Sequence, residues 1–444
     1  MERGRRGNET IFAIASGMSR AAIAVLRLSG PGTPFIVTSL IGSLPEPRMA
    51  QLATFVDPVS GQAIDRGLAL FFPAPRSFTG EDCAEFHVHG GRAVVAAMIG
   101  AIGGLPSARP AEPGEFTRRA LLHGKMDLAE VEGLADLIDA ETEWQRRQAL
   151  RQMQGSLGRQ TALWRGALIE AAALIEAEID FSDEGDVPAA TSRRIGALLA
   201  PVLAGLKAEL AAGRAGERIR EGLTIVIAGP PNAGKSTLLN ALARRDVAIV
   251  SPLAGTTRDS LEVHLDLGGC PVTLIDTAGL RESADALEQI GVARALEKAN
   301  AADLVLWLSE ARRPVEPAGE VAGKVVRRIF TKSDLADQYP AAADGLCISA
   351  ETGENLDVLT RDLTELAQSL TGNGYAGLIT QERHRKVFED AAEDLARILT
   401  NLDAPVELLA EDLRSALFSL QRITGLVDVE DILDEIFSRF CIGK

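Results

Sequence analysis

The sequence predicts a multidomain α/β and α protein. A small α+β domain comes first, followed by an all-helical domain split into two blocks by an inserted α/β domain. Three observations carry this. Residues 9–122 alternate short β-type runs with Pro and Gly turns. Residues 126–220 and 381–440 have helical texture, with apolar residues recurring every three or four positions. Between these blocks a β-branched run, Leu223–Ala228, leads into Gly-Pro-Pro-Asn-Ala-Gly-Lys-Ser-Thr at 229–237 and then into a helical pattern. The boundaries implied are 1–125, 126–220, 221–376 and 377–444.

In chain order, Thr10–Ala15, Ala22–Leu28, Leu68–Phe72 and Ala84–His89 are predicted strands. Helices are expected from Pro31–Phe35 onward, over Ala93–Ile102, and after the turn at Pro113–Thr117. From Asp127, Leu128, Val131, Leu134 and Ile138 line one helix face, and the texture continues through Leu163–Ile179 and Ile195–Ala212. Ser182–Asp186 reads as a solvated acidic break, and Thr371–Gly374 as the exit from the α/β domain. Near the end, Val429, Ile432, Leu433, Ile436, Phe437 and Phe440 form an apolar stripe. Neither helical block is self-sufficient, so the two are expected to pack together.

Composition narrows the function. The 444 residues carry 46 Lys and Arg against 62 Asp and Glu, a net charge of −16. A uniformly acidic surface repels nucleic acid, so any such contact must be local or supplied by a partner. The arginines do cluster, at Arg118-Arg119, Arg146-Arg147-Arg151 and Arg383–Lys386. Aromatics at 4% argue against an extended base-stacking platform. No apolar run approaches the ~18 residues of a membrane span. Met1–Arg6 is basic without a following apolar segment, so no secretory signal is expected. Cys83, Cys270, Cys347 and Cys441 lack metal-ligand spacing and fit reduced thiols in a cytoplasmic protein.

Chemistry concentrates in residues 221–376. Gly229-x4-Gly234-Lys235-Ser236, between a strand and a helix, is a phosphate-binding loop. Its glycines let Asn232, Ala233, Gly234, Lys235, Ser236 and Thr237 wrap polyphosphate with backbone N–H groups at a helix N-terminus. Lys235 neutralises the β- and γ-phosphates, and the Ser236 hydroxyl ligates Mg2+. The loop alone does not separate ATP from GTP. A second apolar strand ends in Asp276-Thr277-Ala278-Gly279, where Asp276 supports the Mg2+ shell and the Gly279 N–H meets the γ-phosphate. Between them the polar stretch Ser251–Asp259, with adjacent Thr256 and Thr257, suits a switch closing over Mg2+. Val325–Phe330 then leads into Thr331-Lys332-Ser333-Asp334. An aspartate there accepts from guanine N1–H and the 2-amino group, which adenine cannot match. The backbone at Ser349-Ala350 reaches guanine O6. Together these predict a Ras-like P-loop GTPase domain. Thr331 stands where an Asn is usual, and its shorter side chain is expected to weaken the tether between base loop and phosphate loop. Leu280 replaces the water-orienting Gln of Ras-type proteins. Asn232, with backbone carbonyls of the 251–256 loop, can hold a monovalent cation in compensation. Glu288 can orient water, and it also reads as a solvated helix carboxylate.

These motifs, with Val25–Gly30, Ser77–Asp82, His89–Gly91, Pro113–Thr117, Asp136–Ala140 and the terminal Cys-Ile-Gly-Lys, resemble the MnmE (TrmE) family of tRNA-modifying GTPases over essentially the whole chain. The resemblance implies an N-terminal domain that binds 5-formyltetrahydrofolate or a related tetrahydrofolate and forms a homodimer. It implies GTP hydrolysis dependent on K+ and an FAD-containing, MnmG-like partner. Together the two proteins place an aminomethyl or carboxymethylaminomethyl group on C5 of the wobble uridine of certain tRNAs. Carried onto this sequence, Asn232, Ser251, Leu253 and Thr256 match the K+ ligands, and Ser236 and Thr257 those of Mg2+. Glu288 matches the catalytic glutamate, and Arg27, Glu85, Lys125 and Lys444 match folate-binding positions. The alternative is a ribosome-assembly GTPase of the Era/EngA type, which shares the GTPase motifs. It would need a basic GxxG-containing domain after them, whereas residues 381–440 are acidic and amphipathic.

Overall fold

The computed structural model describes residues 9–17, 21–180, 188–245, 247–249, 262–276, 302–317, 325–336, 345–374, 377–427, 437, 440 and 443. The chain divides into two compact units, one of residues 1–135 with 421–444 and the other of residues 136–420.

The first unit is built on a six-stranded sheet in the order β3-β4-β5-β2-β1-β6. The strands are β1 (Thr10–Ile14), β2 (Ile23–Ser29), β3 (Gln51–Val56), β4 (Ala63–Phe72), β5 (Cys83–His89) and β6 (Ala108–Pro110). All neighbours are antiparallel except β1 and β6. Alternation along β2 buries Ala24, Leu26 and Leu28 on one face, where they join Phe55, Phe86, Ile36, Leu40, Met98 and Ile102. The last four come from helices α1 (Thr33–Ile41) and α2 (Arg92–Gly103). Phe55 and Phe86 meet edge to face with ring centroids 5.2 Å apart. The opposite face of β2 carries Arg27, in register with Glu85 of β5. Sequence reasoning passed over β3 and β6, because Gln51–Val56 has exposed Leu52 opposite buried Phe55 and β6 is three residues long.

Helix α3 (Glu115–Leu122) is pinned to this sheet by an ion network that explains two of the recognised segments. Arg119 bonds Glu81 at 3.0 Å and Glu115 at 3.0 Å. Arg109 bonds Glu115 at 2.6 Å and Glu9 at 2.7 Å. Glu81 accepts from Ser29 Oγ at 2.6 Å, and Ser29 meets Thr79 at 2.6 Å. The Ser77–Asp82 loop and the Pro113–Thr117 turn are thus two ends of one buried circuit. Gly114 adopts φ +67°, and a Cβ there would come within 2.8 Å of the Phe437 ring. Helix α4 (Leu128–Asp139) opens with a reciprocal cap, in which the Glu130 amide donates to Asp127 Oδ1 and the Asp127 amide to Glu130 Oε2, both at 2.8 Å. Burial pushes the Asp127 carboxyl up to about 6.

The second unit joins helices to the α/β sheet. Helices α5 (Glu143–Met153), α6 (Ser156–Asp180), α7 (Pro188–Glu221) and α10 (Glu382–Thr400) form the helical part. Thr142 and Gln145 make a capping box at the start of α5. Helix α7 packs along both α6 and α10. Trp164 of α6 sits edge-on to Phe388 of α10 at 5.3 Å and reaches close to Gly205 of α7. The segments before and after the α/β domain therefore share a core. Thr191–Glu221 is long and apolar enough to cross a membrane by length and composition. Its longest uncharged run, residues 195–206, stops at Lys207, short of the ~18 apolar residues of a membrane span. Its Ile195, Leu199, Val202 and Leu206 are buried at helical spacing within this packing.

Helix α7 ends one residue before β7 (Leu223–Ala228), with Gly222 at φ +82° between them. The sheet order is β12-β11-β10-β7-β9-β8, adding β8 (Glu262–Leu267), β9 (Cys270–Asp276), β10 (Leu304–Glu310), β11 (Val326–Thr331) and β12 (Gly345–Cys347). Only β8 runs antiparallel to its neighbour. Helices α8 (Lys235–Ala243) and α9 (Leu356–Leu370) contribute to its core. Trp144 of α5 lies against Gly269 and Gly374, where a Cβ would fall 2.6 and 2.9 Å from the indole. Its backbone amide donates to Gly269 O at 3.3 Å. Arg218 Nε bonds Asp303 at 3.1 Å, and Arg220 bonds Asp136 at 2.8 Å. Cys83 and Cys270 are buried free thiols, and burial pushes Cys270 up to about 12.

The Glu115 circuit makes acid stability a test of the fold. Burial alone would raise the Glu115 carboxyl, but bonds from Arg109, the Glu112 amide and Arg119 outweigh it and hold it below its ordinary 4.5. A lowered acid pKa means the circuit stabilises the fold fully above about 4.5 and loses that effect as pH falls further. Glu115→Gln is expected to cost about 3 kcal/mol at neutral pH. It should also flatten the fall in unfolding midpoint with acid, as measured by circular dichroism. An unchanged acid slope would show the circuit to be idle.

Candidate functional site

The order β10-β7-β9 puts β7 where successive crossovers leave in opposite directions, and a crevice opens at the carboxyl ends of strands at such a switch point. The 229–237 loop follows β7 at that point. Gly229 takes φ +144° because its backbone passes so close to β10 that a Cβ would sit 2.1 Å from Leu308 O. Asn232 adopts the left-handed region at φ +64°, and Gly234 at φ +82° is the N-cap of α8. Alternating handedness turns successive amides toward one concavity at the helix N-terminus, which favours an anion.

Lys235 is buried, and its Nζ donates to Gly229 O at 2.9 Å and Pro230 O at 3.0 Å. Ser236 Oγ donates to Asp276 Oδ2 at 2.6 Å, and Asp276 at the end of β9 is buried. A hydroxyl and a carboxylate in contact are hard oxygen donors, and they fit Mg2+ in type. Thr237 is exposed on the first turn of α8, and Ala233 is buried beneath the loop.

The base-side loops assemble at the ends of β11 and β12. Lys332 takes φ +58°, and its ammonium bonds Glu310. Asp334 is exposed on a 3-10 turn, Ser333–Leu335. The Ser333 amide donates to Ile348 O at 3.1 Å, and Ser333 Oγ donates to Glu354 at 2.6 Å. Ser349 is buried with its amide donating to Glu354 O at 3.1 Å, and half-buried Ala350 follows it.

One expectation needs correcting. Thr331 does tether the base loop to the phosphate loop: its buried Oγ1 donates to Ala233 O at 2.8 Å, with Ser309 O 3.2 Å away. The close approach of β11 to the loop makes a short side chain sufficient. Sequence reasoning missed the supporting acids Glu310 and Glu354, which no motif marks. Ser251, Leu253, Thr256, Thr257, Thr277, Ala278, Gly279, Glu288 and Lys444 lie outside the described residues.

A second concavity belongs to the first unit. Arg27 Nε and Nη2 donate to Glu85 Oε1 at 3.1 and 3.0 Å. Both side chains are about three-quarters shielded. They line a cavity of ≈ 560 Å³ with Lys125, Cys83 and the rings of Phe72 and Phe78. Lys125 Nζ donates to Pro75 O at 2.9 Å. Three of the four residues matched to folate binding, Arg27, Glu85 and Lys125, therefore share one cleft. Phe78, from the Ser77–Asp82 segment, shares it as well, as do Arg48 and Arg76, which sequence reasoning did not single out. Gly443 packs in the same unit against the end of β1, at φ +106°, where a Cβ would lie 2.0 Å from Ile14 O.

The Thr331 tether can be measured. Thr331→Val keeps shape but leaves the Ala233 carbonyl without its donor, a loss of about 1 kcal/mol. Guanine nucleotide binding is expected to weaken roughly fivefold by fluorescence titration, while Thr331→Ser should retain it. Equal affinity for the Val variant and the parent would show that the hydroxyl does not support the site.

Two family models match. The model for the GTP-binding protein TrmE N-terminus covers residues 10–125, and that for the MnmE helical domain covers residues 128–441. Among curated relatives, the tRNA modification GTPase MnmE of Beijerinckia indica subsp. indica is 62% identical over 436 residues, covering 98% of this chain and 96% of the relative. The protein of the same name from a Bradyrhizobium species is 52% identical over 444 residues, covering 98% and 99%. Among solved structures, Aquifex aeolicus Era bound to GDP and aluminium fluoride aligns with 32% of this chain and 56% of that one, at 29% identity and a TM-score of 0.25. The full-length likeness does not favour the ribosome-assembly alternative. From the two model matches and the full-length relatives, this chain belongs to the MnmE family of tRNA modification GTPases.

Proposed function

We propose that this chain binds and hydrolyses GTP at the end of β7, and that hydrolysis serves modification of the wobble uridine of certain tRNAs at C5. The observation that carries the reading is the hydrogen bond from Ser236 Oγ to Asp276 Oδ2 beneath a left-handed phosphate loop. In this reading the loop amides and Lys235 hold the phosphates, with Ser236 and Thr257 as Mg2+ ligands and Asp276 behind them. Bound Mg2+ supplies positive charge to the phosphate oxygens. Asp334 accepts from the guanine N1–H and 2-amino groups. The Ser349 amide is already engaged with Glu354, so the Ala350 N–H is the donor for O6. Thr277, Ala278 and Gly279 approach the γ-phosphate.

The remaining roles extend the family resemblance. Leu280 cannot orient water, so Glu288 takes that role. Asn232 with Ser251, Leu253 and Thr256 would hold K+, which would add positive charge at the phosphates. The N-terminal segment, 1–125, binds 5-formyltetrahydrofolate or a related tetrahydrofolate as one-carbon donor and forms a homodimer. Residues 126–220 and 377–444 form the split helical domain around the GTPase domain, 221–376. An FAD-containing, MnmG-like partner and tRNA complete the cytoplasmic assembly. The cleft supports the folate assignment. Glu85 Oε1 takes both Arg27 bonds, and Oε2, which lies 3.5 Å from His87 Nε2, is the oxygen turned to the amino group of a pterin. Lys125 and Lys444 are the counter-charges for the ligand's carboxylates.

Two measurements test this. Mass analysis of wobble uridine from cells lacking the gene should show loss of the C5 aminomethyl-type group, and its survival would refute the role in modification. Asn232→Ala should abolish the preference for K+ over Na+ in GTP turnover while leaving nucleotide binding in place. Equal turnover in both salts by the parent protein would refute the cation assignment.

A further inference from the structure

The cleft of the first unit sorts its chemistry by depth. Arg27 and Glu85 neutralise each other where they are largely shielded. Phe78 covers the pair, its ring centroid 5.3 Å from the Arg27 guanidinium. Three further cations, Arg48, Arg76 and Lys125, stand exposed at the mouth. Glu85 is the one carboxylate among the described lining residues. With Arg27 cancelled by Glu85, the described lining keeps three positive charges, those of Arg48, Arg76 and Lys125.

Arg48 is held in place rather than trailing in solvent. Its backbone sits in the left-handed region at φ +64°, an uncommon state for a residue with a Cβ. Its amide donates to Phe71 O at 2.8 Å, its guanidinium donates to Arg76 O, and it lies 5.8 Å from the centroid of the Phe72 ring. Backbone strain retained beside a cleft marks a position fixed by its surroundings. A guanidinium fixed in advance loses little freedom when it meets a carboxylate.

A planar head held by an Arg–Glu pair, apolar walls and a cationic mouth fit a ligand that is polar at one end and anionic at the other. We propose that Arg48 and Arg76, together with Lys125, form a subsite for the γ-linked glutamate tail of a polyglutamylated folate, so that the protein selects its folate by tail length. This rests on the folate reading above. A folate monoglutamate brings two carboxylates to three cations, and each further γ-linked glutamate adds one more. Exposed charge pairs are individually weak, so two added glutamates should tighten binding about fivefold at low ionic strength. Salt should erode that gain.

Calorimetry on the full-length protein decides the matter, with 5-formyltetrahydrofolate as the monoglutamate and as the triglutamate. The expected result is a roughly fivefold preference for the triglutamate that shrinks with added salt. In Arg48→Asn/Arg76→Gln it should fall below about twofold; Asn is chosen because it tolerates positive φ. Equal affinity for the two folates overturns the proposal, and so does a preference that survives in the double variant. The salt dependence of the parent protein reads the same charges without any substitution, so a variant that fails to fold leaves the test intact. Failure of both folates to bind the parent overturns the folate reading itself, a distinct result.

Discussion

The nucleotide site depends on how closely the strand end at Gly229 passes the neighbouring strand. With a Cβ there only 2.1 Å from Leu308 O, no other residue leaves β7 at that angle. The turn that follows uses Asn232 at φ +64° and Gly234 at φ +82° to point its amides inward before α8 begins. The same geometry brings Thr331 within 2.8 Å of the Ala233 carbonyl. It also brings Ser236 within 2.6 Å of Asp276. A buried sheet fixes the loop, the loop fixes the hydroxyls, and the hydroxyls link the phosphate end to the base end. Every contact in that chain is backbone-directed or short, so little conformational freedom remains to be lost on binding.

The first unit solves a different problem with similar economy. Its cleft needs charged side chains on a sheet face, where neighbouring strands would otherwise present apolar residues. Antiparallel register sets Arg27 opposite Glu85, so each charge has its counter-charge one strand away. The buried circuit through Glu81, Arg119, Glu115 and Arg109 holds the Ser77–Asp82 loop, and with it Phe78, over that pair. Removing one member of such a circuit strands the others in a poorly solvated place, so the whole set matters more than any one bond.

Much of this was legible in the sequence. The strand–loop–helix at 223–242, Asp276 and the Thr331–Asp334 turn were readable because their chemistry requires particular residues at fixed spacing. The helical blocks were readable from periodicity, and the pairing of α7 with α10 followed from neither block being able to bury its own stripe. What escaped were features set by backbone and tertiary context. Thr331 seemed too short for its task because the sequence does not report how near β11 lies to the loop. Arg48 carried no motif, and its left-handed φ is invisible in a string of letters. The exposed edge strand β3 offered little alternation to detect. The Glu81–Arg119 circuit appeared only as two unconnected short segments.

The junction at Gly222 has a mechanical consequence. Helix α7 spans 34 residues and runs into the central strand of the GTPase sheet with one residue between. At about 1.5 Å per residue it extends roughly 50 Å, with Pro201 inside it. The Trp144 wedge and the Arg218–Asp303 and Arg220–Asp136 bonds brace its root. A tilt of about 10° at that root sweeps the distant tip through roughly 9 Å, given this length. Any change of angle at that root is therefore magnified along the helix toward its far end.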